Sequence, residues 1–145
     1  MNALVIGCGR VGSNIALQLH REGWDVTVVD EQEEALSRLG ESWPGTFIVG
    51  HGMDTAVLRD AGIEDADAVI VSTDGDNTNI VIGQVAQKRF DINCVVVRVL
   101  DPARADFYRE LGLRTVCPTK TAIDVLTDAV RACEIPTRPP AEART

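Results

Sequence analysis

The stretch Leu4-Val5-Ile6-Gly7-Cys8-Gly9-Arg10-Val11-Gly12 decides the fold. A β-branched run stops on glycine, and apolar residues then recur at helical spacing through Val11, Ile15, Ala16 and Leu19. The glycines form a G-x-G-x-x-G turn between a strand and a helix. Gly7 permits the tight turn, and Gly9 removes the side chain that would hold a pyrophosphate off the backbone. Gly12 lets the helix lie close on the sheet. The helix amino end then offers unpaired N–H groups and a positive dipole end to phosphate. The next strand, Val26-Thr27-Val28-Val29, ends on Asp30. A carboxylate there accepts hydrogen bonds from both hydroxyls of an adenosine ribose and repels a 2′-phosphate, which favours NAD over NADP. Glu31, next in the chain, is counted with the same site.

Outward from this turn, strands and helices alternate. Further strands are expected at Phe47-Ile48-Val49, Ala68–Val71, Cys94–Val97 and Thr115-Val116. Helices are expected at Glu33–Leu39, from a cap at Asp54 or Thr55, at Asp76–Arg89, from Pro102 to about Leu111, and at Thr121–Cys133. Most strands are continuous Val/Ile runs rather than alternating ones. Such strands are buried on both faces and belong to parallel sheets. The expected architecture is α/β: a Rossmann-like, doubly wound, mainly parallel six-stranded sheet with helices on both faces. One domain is expected over residues 1–133, with a disordered tail at 134–145.

The 145 residues are 45% hydrophobic and 25% charged, an ordinary balance for one core. Asp plus Glu is 22 against 14 for Lys plus Arg, a formal net charge of −8. That argues against nucleic acid and anionic membrane surfaces as partners. No apolar run approaches the ~20 residues that span a bilayer. Met1–Ile6 lacks a cationic segment and reads as a strand start rather than a secretory leader. Cys8, Cys94, Cys117 and Cys133 form no CxxC, which fits a reduced, cytoplasmic setting.

Open α/β sheets take ligands at the carboxyl ends of their strands. The loops there are Gly50-His51-Gly52-Met53-Asp54-Thr55, then Ser72 through Asn79, then Arg98 through Pro102. Arg10 is either a phosphate contact or a solvated cation. Asp76 is expected to cap its helix; the alternative is that it joins Asp74 in holding a divalent ion. His20 and His51 are too sparse for a metal site. The last helix carries a stripe of Ala122, Val125, Leu126, Ala129, Val130 and Cys133. It packs either on the chain's own core or on a neighbouring subunit.

The assembled pattern resembles the KTN or RCK N-terminal (TrkA-N) domain, the cytoplasmic nucleotide-binding regulator of Trk and Ktr potassium uptake systems. The similarity rests on the Gly7–Gly12 turn with Arg10 inside it, and on Asp30. Leu58, Ala61, Gly62, Ile63, Ala66 and Asp67 match an L-x-x-A-G-I-x-x-A-D stretch. Thr73, Asp76 and Asn79 match T-x-x-D-x-x-N. Arg98 and Pro102 fit the end of strand five, and Gly112 through Pro118 fit the sixth. The resemblance implies a regulatory module and not an enzyme, with NAD or NADH, or ATP or ADP, in the cleft. Gly7, Cys8, Gly9, Arg10, Val11 and Gly12 would then lie at the phosphates and Asp30 with Glu31 at the ribose. Backbone at Gly52 and Met53 would lie near adenine. Thr73 would lie beside the phosphates or the distal end, and Arg98 is grouped with it. It also implies a homo-oligomer, a dimer or an octameric ring, held by a membrane potassium transporter subunit at the inner face of the membrane. One departure stands out: Gly50-His51 occupies the place of the family's Gly-Asp. The imidazole is either a pH-sensitive element or a tolerated loop residue. A small NAD-dependent oxidoreductase is the alternative. It would need a proton donor from His51, Thr73 or Asp76, and none of these sits in a recognisable catalytic constellation.

Overall fold

A computed structural model describes residues 1–138. Six strands form one sheet: β1 Asn2–Ile6, β2 Asp25–Asp30, β3 Thr46–Val49, β4 Ala68–Val71, β5 Cys94–Arg98 and β6 Arg114–Val116. Their order is β3-β2-β1-β4-β5-β6, and all five pairings are parallel. The sheet is therefore wholly rather than mainly parallel. β1 is central, with Ile6 in register with Val29 of β2 and Val71 of β4. Strand order reverses beside β1, so the first glycine turn stands at the topological switch point.

Among the described residues four α-helices connect strands, α1 Arg10–Arg21, α2 Thr55–Asp60, α3 Asp76–Lys88 and α4 Pro102–Glu110, and a fifth, α5 Pro118–Arg131, follows β6. Alternate strand residues serve the two faces. Leu4, Ile6, Val29, Val69, Val71, Val95 and Val97 pack with Leu58 of α2, Ile82 and Ala86 of α3, and Ala105 of α4. Ala3, Val5, Val26 and Val28 pack with Ala16 of α1 and with Ala35 and Leu39 of a 3₁₀ segment, Glu33–Leu39. Two apolar layers explain why these strands carry no polar alternation. Asp54 closes the choice of cap for α2, since its side chain accepts the Ala56 N–H.

Two expectations need correction, and one open choice narrows. The last helix begins at Pro118 instead of Thr121 and ends at Arg131. Proline suits the first helical position, and the Cys117 sulfur accepts the Lys120 N–H just before it. Asp76 does not cap α3, because Gly75 holds that position and Asp76 is already helical. Its carboxylate instead accepts the N–H groups of Leu100 at 2.7 Å and Asp101 at 3.0 Å, which ties α3 to the β5–α4 loop. The stripe on α5 does not pack on the chain's own core, since every residue of α5 is exposed. Of the tail expected to be disordered, residues 139–145 lie outside the described residues.

Leu58 is fully buried between α2 and the sheet. Leu58→Ala should lower unfolding free energy by about 2–5 kcal/mol in a denaturant titration, through lost transfer energy and a cavity. Glu41→Ala, at an exposed turn, should stay within about 0.5 kcal/mol.

Candidate functional site

The glycine turn works by proximity. Gly7 has φ +100°, and a Cβ on it would meet the Ser72 carbonyl carbon at 2.7 Å. A Cβ on Gly12 would lie 1.7 Å from the Gly7 carbonyl oxygen. Both positions therefore require glycine for the helix to approach β1 and β4. Gly9 is different, because a Cβ there would meet nothing within 4 Å. Its missing side chain leaves open approach to the backbone, which is what a bulky phosphate needs.

Asp30 draws the turn and strand β2 together. One of its carboxylate oxygens accepts the Cys8 N–H at 2.7 Å, and the other accepts the Gln32 N–H at 2.8 Å. A carboxylate offers about four acceptor positions, so capacity remains for two ribose hydroxyls. The Cys8 thiol is buried and donates to the Ala35 carbonyl at 3.4 Å. Burial, and then the charge of Asp30, push this thiol up from its ordinary value, while Arg38 works against the shift. Cys8 is thus a neutral packing residue at neutral pH, not a nucleophile.

These groups border a cavity of about 490 Å³ at the carboxyl ends of the strands. Gly7, Cys8, Gly9, Arg10, Asp30, Glu31, Gly52 and Thr73 line it. Val11, Gly12, Met53 and Arg98 do not. Val11 and Gly12 lie in the first turn of α1. Arg98 reaches the site indirectly: its Nη2 donates to the Thr73 carbonyl at 2.7 Å, and its buried Nε finds no acceptor among the described residues. Arg10 makes no ion pair among the described residues, although it lies on the cavity wall.

Helix starts sort by position. α2, α4 and α5 have N-caps whose side chains accept an amide, from Asp54, Asp101 and Cys117. α1 and α3 start on Gly9 and Gly75 with no side-chain cap, and both glycines line the cavity. The first turn of α1 also holds no acid. The orphan amides facing the cavity are thus left for an external acceptor.

Asn79 explains the Thr73–Asp76–Asn79 spacing. It is 1% exposed. Its Oδ1 accepts the Thr73 N–H at 3.0 Å and also the Thr73 hydroxyl. Its Nδ2 donates to the carbonyls of Thr73 and Arg98, both at 3.0 Å. One buried amide thereby fixes the loop after β4 against the end of β5.

Two residues were missed or undervalued by the sequence reasoning. Arg38 lines the cavity and donates to the Cys8 carbonyl at 3.3 Å. The signal was its place on a short helix whose Ala35 and Leu39 face the core. His51 is no idle loop residue, since its Nε2 lies 2.9 Å from Glu31 Oε1 and its Nδ1 accepts the Met53 N–H at 3.1 Å. Asp74 lines the cavity, whereas the Asp76 carboxylate is turned to the Leu100 and Asp101 amides.

The sequence pattern of the TrkA-N domain matches residues 3–119. The chain belongs to the TrkA-N domain family. This TrkA-N domain is 40% identical over 124 residues to the Trk system potassium uptake protein TrkA of Streptomyces coelicolor. That alignment covers 86% of this chain and 56% of the relative, so the chain spans little more than half of that protein. GsuK bound to ADP superposes with a TM-score of 0.78 at 24% identity, over 92% of this chain and 34% of that one. The GsuK channel bound to NAD gives 0.76 at 24% identity, over 90% of this chain and 23% of that one. These two likenesses establish the Rossmann-like fold.

Asn79→Ala should cost this TrkA-N domain about 1–3 kcal/mol, since it strands buried partners at Thr73 and Arg98. Thermal or denaturant unfolding checks this. An unchanged midpoint would remove Asn79 from its place as the loop anchor.

Proposed function

We propose that this chain is a regulatory module that binds NAD or NADH, or ATP or ADP, and gates a membrane potassium uptake transporter. One observation carries the reading: uncapped helix starts at Gly9 and Gly75 and the Asp30 carboxylate converge on a single 490 Å³ cavity. That volume suits a small-molecule site, for which about 300–1,000 Å³ is usual. Phosphates lie on the amides at the start of α1, with Arg10 beside them, and the ribose lies on Asp30. Thr73, placed by Asn79 and Arg98, lies beside the distal end. The name of the Streptomyces relative, and the ADP and NAD bound to GsuK, support this choice of ligand and system.

Regulation needs no chemistry in the cleft. A ligand that fits one arrangement of an assembly better than another shifts the balance between them by its difference in affinity. The candidates for proton transfer are already engaged. The Thr73 hydroxyl donates to Asn79, His51 contacts Glu31, and Asp76 holds Leu100 and Asp101. These engagements support the regulatory reading over an oxidoreductase.

The module acts in the cytoplasm, at the inner face of the membrane, through a transporter subunit. Among the described residues no helix is long and apolar enough to cross a membrane. The module works as a homo-oligomer, a dimer or an octameric ring. The exposed Val125, Leu126 and Val130 of α5 support this, because such side chains gain roughly 1.5–3 kcal/mol each on full burial.

Calorimetric titration with NADH, NAD, ATP and ADP tests the binding claim, and silence from all four would end it. Arg10→Ala should weaken ATP roughly tenfold or more and NAD less, since a charge-assisted contact to phosphate is lost. Equal losses would remove Arg10 from the phosphates. Leu126→Glu combined with Val130→Glu should reduce the sedimenting mass of the assembly. An unchanged mass would take α5 out of the subunit contact.

A further inference from the structure

Arg38 enters the cleft from the 3₁₀ segment that follows β2, and the Cys8 backbone links it to Asp30. The Cys8 N–H goes to one Asp30 oxygen at 2.7 Å, and Arg38 Nη1 donates to the Cys8 carbonyl at 3.3 Å. Carboxylate and cation therefore flank one residue of the glycine turn, and both line the cavity. After burial, they are the two charges that act on the Cys8 thiol, Asp30 upward and Arg38 downward.

The acids at this end of the cleft are already engaged. Both Asp30 oxygens accept backbone amides, from Cys8 and, at 2.8 Å, from Gln32. Glu31 Oε1 lies 2.9 Å from His51 Nε2. Glu34 precedes Arg38 on the same segment but makes no ion pair with it, and neither does any other acid among the described residues. One N–H of Arg38 reaches Cys8, so most of the guanidinium's donors are left without a protein acceptor among the described residues. An anchored, unpaired guanidinium on a cavity wall suits a phosphoryl group, which it can meet with two parallel N–H donors.

We propose that Arg38 takes a phosphoryl group carried on the ribose 2′-oxygen, so that the cleft admits NADP as well as NAD despite the carboxylate of Asp30. This rests on the nucleotide reading above, with the ribose on Asp30, and adds to it the specificity of that site. A 2′-phosphate removes one hydroxyl donor from Asp30 and sets an anion beside it. Alone, the carboxylate would reject that anion. Arg38, on the other side of Cys8, offsets the repulsion with charge-assisted hydrogen bonds. The pyrophosphate is served separately, by the uncapped start of α1 and by Arg10. NAD, with a bare 2′-hydroxyl, makes no such use of Arg38.

Titration calorimetry of the chain with NAD and with NADP, which differ only in that phosphate, reads the preference directly. Wild type should bind NADP within roughly tenfold of NAD, because the cation offsets the carboxylate. Arg38→Gln keeps a donor for the Cys8 carbonyl and removes the charge. It should weaken NADP roughly tenfold or more and NAD at most about threefold. Arg38→Lys, which keeps the charge without the planar fork, should fall between wild type and Arg38→Gln for NADP. A residue that only braces the turn, or one that meets the pyrophosphate, would instead cost both ligands alike. A wider gap between the ligands in wild type, or equal losses in Arg38→Gln, overturns this inference alone. No binding of either ligand overturns it together with the nucleotide reading.

Discussion

Between the Gly7 carbonyl oxygen and the start of α1 there is no room for a methyl group. A Cβ at residue 12 would stand 1.7 Å from that oxygen. This contact sets how deeply α1 sits over β1, and much else follows from it. The close approach points the helix's free amides at the carboxyl edge of the sheet. It also places Cys8 where its N–H can reach Asp30 and its thiol can reach Ala35. A helix displaced outward by the width of a methyl group would lose the bond to Asp30, and the rim of the cleft would lose its frame.

The cleft is sorted by charge along its length. Cations and amides gather at the turn, in Arg10, Arg38 and the uncapped start of α1. Two acids, Asp30 and Glu31, stand at the end of β2, and Asp74 adds a third from the loop after β4. An anionic group and a polyol therefore have opposite preferences within one cavity, and a molecule carrying both has one favourable direction of entry. The chain's formal charge of −8 makes the two arginines more telling. In a field repelling anions overall, local donors must do the recruiting.

Fold and site differed in how much could be read from the chain. The strands were legible because burial on both faces forces unbroken Val and Ile runs such as Val26–Val29 and Val95–Val97. Gly7, Gly9, Gly12 and Asp30 were legible because a turn, a close approach and an end-of-strand acid each demand one residue type. Arg38 was not, since its role depends on a 3₁₀ segment folding back to the Cys8 carbonyl, thirty residues away. The start of α5 was misplaced because a cysteine sulfur is an unusual cap. Asp76 misled for a related reason. Its type and position fit a cap, yet only the tertiary fold brings the amides of Leu100 and Asp101 to it.

Asn79 shows how recognition and support divide between neighbouring residues. Thr73 faces the cavity, but its backbone and hydroxyl are bound to Asn79, and its carbonyl is bound again by Arg98. A loop held by that many bonds to buried or half-buried partners has little freedom left to lose when a ligand arrives. The loop after β3 is held differently, by an exposed imidazole that accepts the Met53 N–H and meets Glu31. One wall of the cleft is therefore pinned by a buried amide and the other by an exposed side-chain pair. Solvent competes with the exposed pair and not with the buried amide, so the bonds at Asn79 do more to hold their loop than the His51–Glu31 contact does.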